Sequence, residues 1–373
     1  MPPSTVLAID GNSLVHRSFH AQARTDTRTA DGRPCWAVRG LLLQLMAAVD
    51  RVRPEFVVVG FDDPKESQRR ARWPQYKAQR GDKLDTLVEQ LLAAAAALAE
   101  LGVHVVVPPG LEADDVLASA AAFGAARGLQ TVIVTSDRDA FALIDETTRV
   151  LRIINGGVEA SPLMTADRLE LLLGVRPQQY RDFAALRGDP SDNLPGVRGI
   201  GPSSAARLLR RFGSAGAAFD DLDTVRAELG DGIAARLAAP GARAAWELNC
   251  QVMAMRRDVA LGTDGTDGTD GTDGTDTGGE FGGGTSCGRL PLAADAVRRV
   301  FRAVGLTWTT RDAVRVLAEV EDDVPAPVFA HAAQPFTQGR PDDRAWPPSG
   351  WSRPQLPTLP PRRPQAAQLS LFD

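Results

Sequence analysis

Acidic residues recur in this chain where carboxylates could hold cations. Glu112, Asp114 and Asp115 crowd into GLEADDVLAS. Asp10 closes the run VLAID, Asp62 closes FVVVGFD, and Asp137 closes TVIVTSD with Asp139 two residues later. Asp189 and Asp192 stand in RGDPSDNLPG. One such acid needs only a turn or a cap to explain it, and an acidic first turn suits a helix dipole. Four strand ends delivering acids to one edge require more, because crowded carboxylates raise one another's pKa and oppose folding unless compensated. No Lys or Arg adjoins most of them, so hard divalent cations bound through oxygen are the natural compensation. Two Mg²⁺ or Mn²⁺ ions about 4 Å apart suit phosphodiester hydrolysis, which needs an ionised water at neutral pH and relief of charge on the leaving oxygen. The four histidines, His16, His20, His104 and His331, pair with no nucleophile, and His16 and His20 are expected to pack near the exit of the first strand.

The elements that must position these acids are legible in the first half of the chain. Apolar, β-branched runs at Val6–Ile9, Phe56–Gly60, Val103–Val107, Thr131–Val134 and Val150–Ile154 alternate with helical patterns at Val38–Val49, Leu84–Leu101 and Asp115–Arg127. Continuous apolar strands alternating with helices predict an α/β fold with a mostly parallel sheet covered on both faces. Ligands of such sheets sit at the carboxyl ends of the strands, where the acids lie.

Two further segments could handle a polyanion. KESQRRARWPQYKAQRGDK follows Asp62 and interleaves Lys65, Arg69, Arg70, Arg72, Lys77, Arg80 and Lys83 with Trp73 and Tyr76. Cations track phosphates, and aromatic rings stack on bases of a frayed strand. LPGVRGIGPSSAARLL carries Gly196, Gly199 and Gly201 ahead of Pro202 and Ser203, the pattern of a helix-hairpin-helix whose turn and helix N-terminus offer N–H groups to a phosphate.

Composition bounds the reading. The chain has 373 residues, 43% hydrophobic, with a formal net charge of −5. It carries no apolar run of the ~20 residues a membrane span needs, and no basic region precedes the first apolar run as in a signal peptide. Three dispersed cysteines, Cys35, Cys250 and Cys287, suggest free thiols in a reducing cytoplasm. The negative sum argues against nucleic-acid binding only until eight or nine of its carboxylates are assigned to cations.

Taken together, LAIDGNSLVHRSFHA, FDDPKES, YKAQR, GLEADDVLA, TSDRDAFAL and GDPSDNLPGVRGIG resemble the bacterial 5′→3′ exonuclease and flap endonuclease family, over about Val6 to Asp312 with one interruption. The resemblance implies a PIN-like nuclease core at 1–170, with a basic arch over the active site at about 64–92 that admits a single-stranded 5′ end. It implies a helix-hairpin-helix DNA-binding region at 171–261 and 289–318. Residue by residue, it places a first metal site at Asp10, Asp62, Glu112 and Asp114, with Asp115 serving either site, and a second at Asp137, Asp139, Asp189 and Asp192. Lys77, Arg80 and Arg17 match residues that contact the scissile phosphate, Tyr76 a stacking platform, and Arg69 and Arg70 DNA contacts. Backbone carbonyls of about 195–201 match a potassium site in the hairpin. The implied activity is a stand-alone, two-metal 5′ nuclease acting on DNA with 5′ ends or flaps, a monomer associated with the nucleoid. The rival readings are a non-catalytic DNA-junction binder, against which the full set of acids argues, and an RNA-cutting enzyme, against which the hairpin and basic segment argue.

Two stretches depart from that pattern. Residues 262–288 hold a Gly-Thr-Asp triplet repeat with almost no apolar residues, expected to be a disordered loop insertion. Residues 319–373 turn rich in Pro, Arg and Gln, expected to be a disordered tail. That tail ends in QLSLFD, which resembles the peptide by which bacterial replication and repair proteins bind the sliding clamp. Leu371 and Phe372, with Leu369, would anchor in an apolar pocket, while the Gln368 amide fixes register.

Overall fold

The computed structural model describes residues 4–81, 83–261 and 288–320. All fall in one compact unit, Met1–Val324. The triplet repeat (but for Gly288) and the terminal peptide lie outside the described residues.

Strands β1 (Thr5–Asp10), β2 (Phe56–Gly60), β3 (His104–Val106), β4 (Gln130–Thr135), β5 (Thr148–Arg152) and β6 (Leu163–Met164) form one sheet in the order β3-β2-β1-β4-β5-β6. The first five run parallel, and the short β6 pairs antiparallel with β5. The α/β class follows from the sequence as expected, whereas β6 has no signal there, being two residues long. Side-chain alternation divides the strands between two cores. Leu7, Ile9, Val57, Val59, Val132, Val134 and Leu151 face helices α1 (Gly11–Gln22), α2 (Trp36–Val52) and α4 (Asp85–Glu100). Val6, Ala8, Val58, Ile133 and Val150 face α5 (Ala113–Ala126) and the helical region beyond. A third short helix, α3 (Gln68–Arg72), lies in the basic segment.

After α6 (Gly157–Ala160) and α7 (Ala166–Leu173), helix α8 (Pro177–Arg187) leads into a two-stranded hairpin, β7 (Gly188–Asp189) with β8 (Leu194–Pro195). The hairpin depends on two glycines. Gly188 has φ +79°, and a Cβ on Gly196 would stand 2.3 Å from the Arg187 carbonyl. Buried Asn249 donates to the carbonyls of Ala185 (3.0 Å) and Pro195 (2.9 Å), pinning the hairpin to α8. Helix α9 (Pro202–Phe212) follows, then α10 (Ala215–Asp220), α11 (Leu222–Leu229), α12 (Asp231–Leu237) and α13 (Ala242–Val252).

One expectation is corrected. Residues 289–318 do not join the helical region. Their helices α14 (Ala294–Ala303) and α15 (Thr310–Leu317) bury Val297, Val300, Phe301, Val314 and Leu317 in the core shared with α2 and α4. The chain reaches that face because Gly288 and Arg289 run alongside β2: Val57 N–H donates to the Gly288 carbonyl (2.7 Å) and Leu290 N–H to Glu55 (2.9 Å). No helix among the described residues is long and apolar enough to cross a membrane.

Candidate active site

The carboxyl ends of β1, β2 and β4, the start of α5 and the β7–β8 hairpin deliver the acids to one edge. Asp10 ends β1 and caps α1, its Oδ1 accepting from Ser13 N–H (2.8 Å) and its Oδ2 from Thr135 Oγ1 (2.8 Å). Asp62 is clasped by Asn12, whose Nδ2 donates to Oδ2 at 2.6 Å, and by Ala113 N–H at 3.0 Å. Ser13 and Ser136 join their hydroxyls at 2.5 Å across α1 and the β4 exit. Asn12, Ser13 and Thr135 are thus positioning residues that the sequence reading missed. Their only signal was adjacency to the acids.

Burial, reinforced by the neighbouring Asp62 and Asp137, pushes the Asp10 carboxyl up to about 7. Burial likewise raises Asp114 well above the carboxylate range, with Asp137 and Asp10 adding to it. Asp139 is pushed up to about 8 by burial, then by Asp137, Asp189 and Asp192. These acids therefore sit within electrostatic reach of shared acidic neighbours, and Lys77 near Asp114 and Arg187 near Asp139 offset the crowding only in part. Among the described residues no three of them converge tightly enough to grip an ion alone.

Three expected roles change once partners are visible. Asp115 is 1% exposed and faces the protein, not the cluster. It takes Arg69 Nη2 at 2.7 Å, Arg256 N–H at 2.8 Å and Glu112 N–H at 3.2 Å, so its lone pairs serve a capping box and an ion pair. Arg69, expected on DNA, bridges Asp115, Glu112 (3.0 Å) and the Ala254 carbonyl (3.0 Å). Tyr76, expected as a stacking platform, is buried against Leu194 and Val252, and its hydroxyl donates to Glu112 Oε2 at 2.9 Å. At Gly196 the Arg187 backbone occupies the space a Cβ would need, which fixes glycine there.

The basic segment therefore lies down on the acids instead of standing off as an arch. Lys77 Nζ donates to Glu112 Oε2 (3.1 Å), and Arg80 Nη2 to Asp192 Oδ1 (2.6 Å). Burial opposes the Lys77 charge, but Glu112 and Asp192 more than offset it and raise its pKa. In return, Lys77 and Arg69 outweigh burial and hold the Glu112 carboxyl below its usual range. The Lys77 backbone has φ +55° and its N–H donates to the Asp192 carbonyl at 2.9 Å. Arg70 is exposed, as are Gly199 and Ser203 around the start of α9, while Gly201 caps that helix. Arg17 donates to Asn155 Oδ1 at 2.8 Å. Asp137 receives Asp139 N–H (2.9 Å), and Asp189 receives Ser191 N–H (2.8 Å) and Oγ (2.7 Å). His16 lies half-buried on α1. Burial, followed by nearby Lys83, His20 and Arg80, lowers its imidazole to about 4.

Residues 5–170 match the family described as 5′-3′ exonuclease, N-terminal resolvase-like domain, and residues 175–270 match the 5′-3′ exonuclease C-terminal SAM fold. A 5′-3′ exonuclease of Aquifex aeolicus is 35% identical over 210 residues, 56% of this chain and 70% of its own length. DNA polymerase I of Mycobacterium tuberculosis is 37% identical over 235 residues, covering 63% of this chain. The chain spans only 26% of that polymerase's length. In fold it is similar to the T5 5′-exonuclease bound to divalent zinc, with a TM-score of 0.52 at 18% identity over 84% of this chain and 99% of the other.

Proposed function

We propose, from the premise that this chain belongs to the 5′-3′ exonuclease family, that it hydrolyses DNA at 5′ ends and 5′ flaps with divalent cations held by its acid cluster. The carrying observation is the set Asp10, Asp114 and Asp139, whose carboxyls are pushed up by burial and by neighbouring acids, Asp137 acting on all three, at a single sheet edge. Such a set wants cationic partners. Asp10, Asp62, Glu112 and Asp114 would hold one ion, and Asp137, Asp139, Asp189 and Asp192 another. Bound there, the ions supply Lewis acidity for phosphodiester hydrolysis.

The remaining work falls to the chain's own side chains. Asn12 and Thr135 fix the rotamers of Asp62 and Asp10. Lys77 and Arg80 sit at the rim of the cluster on carboxylates that a phosphate can replace. Their charge then meets the non-bridging oxygens, where negative charge grows as the bond breaks. Arg70, Gly199 and Ser203, which are exposed, and Gly201 at the cap of α9 supply donors for the duplex backbone. K⁺ at the carbonyls of 195–201 belongs to the same proposal, although Pro195, Val197 and Gly201 already use theirs within the fold.

The test is cleavage of labelled 5′-flap DNA with and without Mg²⁺, in the parent and in Asp114→Asn. Mg²⁺-dependent cutting by the parent and its loss in the variant are expected. A parent that binds flaps but cuts none would establish the non-catalytic junction binder instead. We further propose that residues 368–373 bind the sliding clamp. Deleting them should abolish clamp binding in a polarisation assay and leave flap cleavage unchanged. Equal clamp affinity with and without them removes that reading.

A further inference from the structure

Beside the acid cluster, on its β5 side, lies a group of three cations, of which Arg138 and Arg152 have no part in the proposed chemistry. The β4–β5 register pairs Thr135 with Arg152, so Arg152 leaves the sheet level with the residue that holds Asp10. Arg138 lies three residues past Thr135, between Asp137 and Asp139. Arg17 projects from α1 and reaches Asn155, three residues past Arg152, at 2.8 Å. Three elements thus bring three guanidiniums to one place.

Charges of one sign do not gather without cost, and among the described residues none of these three makes an ion pair, although Asp137 lies within electrostatic reach of Arg152. Burial and then the nearby Arg138, with a smaller part from Arg17, lower the Arg152 pKa against opposing contributions from Tyr180 and Asp137. Among the described residues, the guanidiniums of Arg138 and Arg152 make no ion pair and no hydrogen bond. Arg152 Nε is buried with no partner at all. The Tyr180 hydroxyl, on a side chain 1% exposed, is buried without a partner as well. Buried polar groups in folded proteins are normally satisfied. A ligand with several anionic oxygens would offset that repulsion from the accessible side of the group. Guanidinium forks match phosphate geometry.

We propose that Arg17, Arg138 and Arg152 form a seat for a second phosphate of the substrate strand, next to the one that is cut. The inference rests on the nuclease reading for its ligand, since phosphate is the group that a DNA strand repeats along its length. Both an internal phosphodiester and a 5′-terminal phosphate have the required chemistry. The seat would set the register of the strand against the acids, so Arg138 and Arg152 are positioning residues.

The experiment measures binding of fluorescent 5′-flap oligonucleotides in EDTA, where no turnover occurs, for the parent, Arg138→Gln and Arg152→Gln across a salt series. The oligonucleotides carry one neutral methylphosphonate at successive positions, or a 5′-hydroxyl in place of the 5′-phosphate. Each variant should bind about ten-fold more weakly, with a salt slope smaller by about one. At one position, neutralisation should weaken the parent by the same factor and the variants no further. If the sensitive group is the 5′-phosphate, an end phosphate is the ligand; if it is one internal linkage, a diester is. Penalties that simply add at every position and at the terminus overturn the seat, as does an unchanged salt slope. Should Arg152→Gln fail to fold, Arg138→Gln decides alone, because that residue lies in a half-buried loop. Cleavage in Mg²⁺ separates the two claims. A parent that shows the binding pattern yet cuts nothing keeps the seat and sinks the nuclease, whereas a parent that cuts while penalties add everywhere does the reverse.

Discussion

At the scale of single residues, the acids were legible as a set but their division of labour was not. GLEADDVLAS presents Glu112, Asp114 and Asp115 as equals. The structure separates them by partner. Asp115 is locked by Arg69 and two backbone N–H groups, Glu112 is held by three side-chain donors, and Asp114 is left to its acidic neighbours. Residue type cannot reveal this, because the partners come from Arg69 and Arg256, far away in sequence. The same blindness made Tyr76 a stacking ring rather than a buried hydroxyl donor. The division predicts opposite behaviour for two neighbouring cations. Arg69→Ala strands Asp115, which is 1% exposed, without its counter-charge. It should destabilise the fold by about 3–5 kcal/mol, as removing one partner of a buried pair does. Lys77→Ala leaves Glu112 still paired with Arg69 and bonded to Tyr76, so it should change the urea midpoint little. It should nonetheless lower kcat on flap DNA by about 10²–10³-fold, the size of a lost transition-state donor. A Lys77→Ala variant that cuts at the parental rate contradicts the placement of that charge, and an Arg69→Ala variant of parental stability contradicts the structural role.

Among the elements, the parallel strands and their acid-bearing exits were readable from alternation of apolar runs and helical patterns. The placement of the last helices was not. LPLAADAVRRVFRAVGL reads as an amphipathic helix, and periodicity says that one face is buried without saying against what. The answer depends on where the chain re-enters after the triplet repeat. Gly288 settles it: its backbone bonds to Val57 and Gly102, and a Cβ there would stand 2.5 Å from the Val57 carbonyl. From that point α14 can only reach the α2–α4 face. Phe301 is fully buried in this core, so Phe301→Ala should cost about 3–5 kcal/mol. Because α14 and α15 share one core with the sheet, the variant should still unfold in a single transition with β1 and α2, whether followed by circular dichroism or by tryptophan fluorescence from Trp36. A separate early transition for the final helices would show that they are an appendage.

For the whole molecule, the acid cluster couples stability to pH and to cations. Asp10 and Asp139 have folded-state pKa values raised from 3.8 to about 7 and about 8. A raised carboxyl binds its proton more tightly folded than unfolded. Its penalty is absent below the unfolded value, grows as pH rises, and is complete above the folded value. Glu112 acts in the other sense, since its lowered pKa adds stability that is lost only in acid, as pH falls through that value. Between about pH 8 and 5 Glu112 stays ionised; His16, lowered from 6.5 to about 4, costs stability only below pH 6.5, over a narrower span than the raised acids, which dominate. In EDTA, the melting temperature should therefore climb as pH falls from 8 to 5. If divalent cations bind the ionised cluster as proposed, Mg²⁺ at a hundred times its Kd should raise the midpoint by roughly 5 °C at pH 8. At pH 5 protons already occupy the carboxylates, and the same Mg²⁺ should do much less. Asp139→Asn removes one of the repelling charges, so in EDTA at pH 8 it should melt above the parent and gain less from Mg²⁺. Scanning calorimetry on the two proteins at pH 5 and 8 distinguishes this from a site shaped only for structure, in which case Asp139→Asn would lose stability at both pH values and Mg²⁺ would act equally at each.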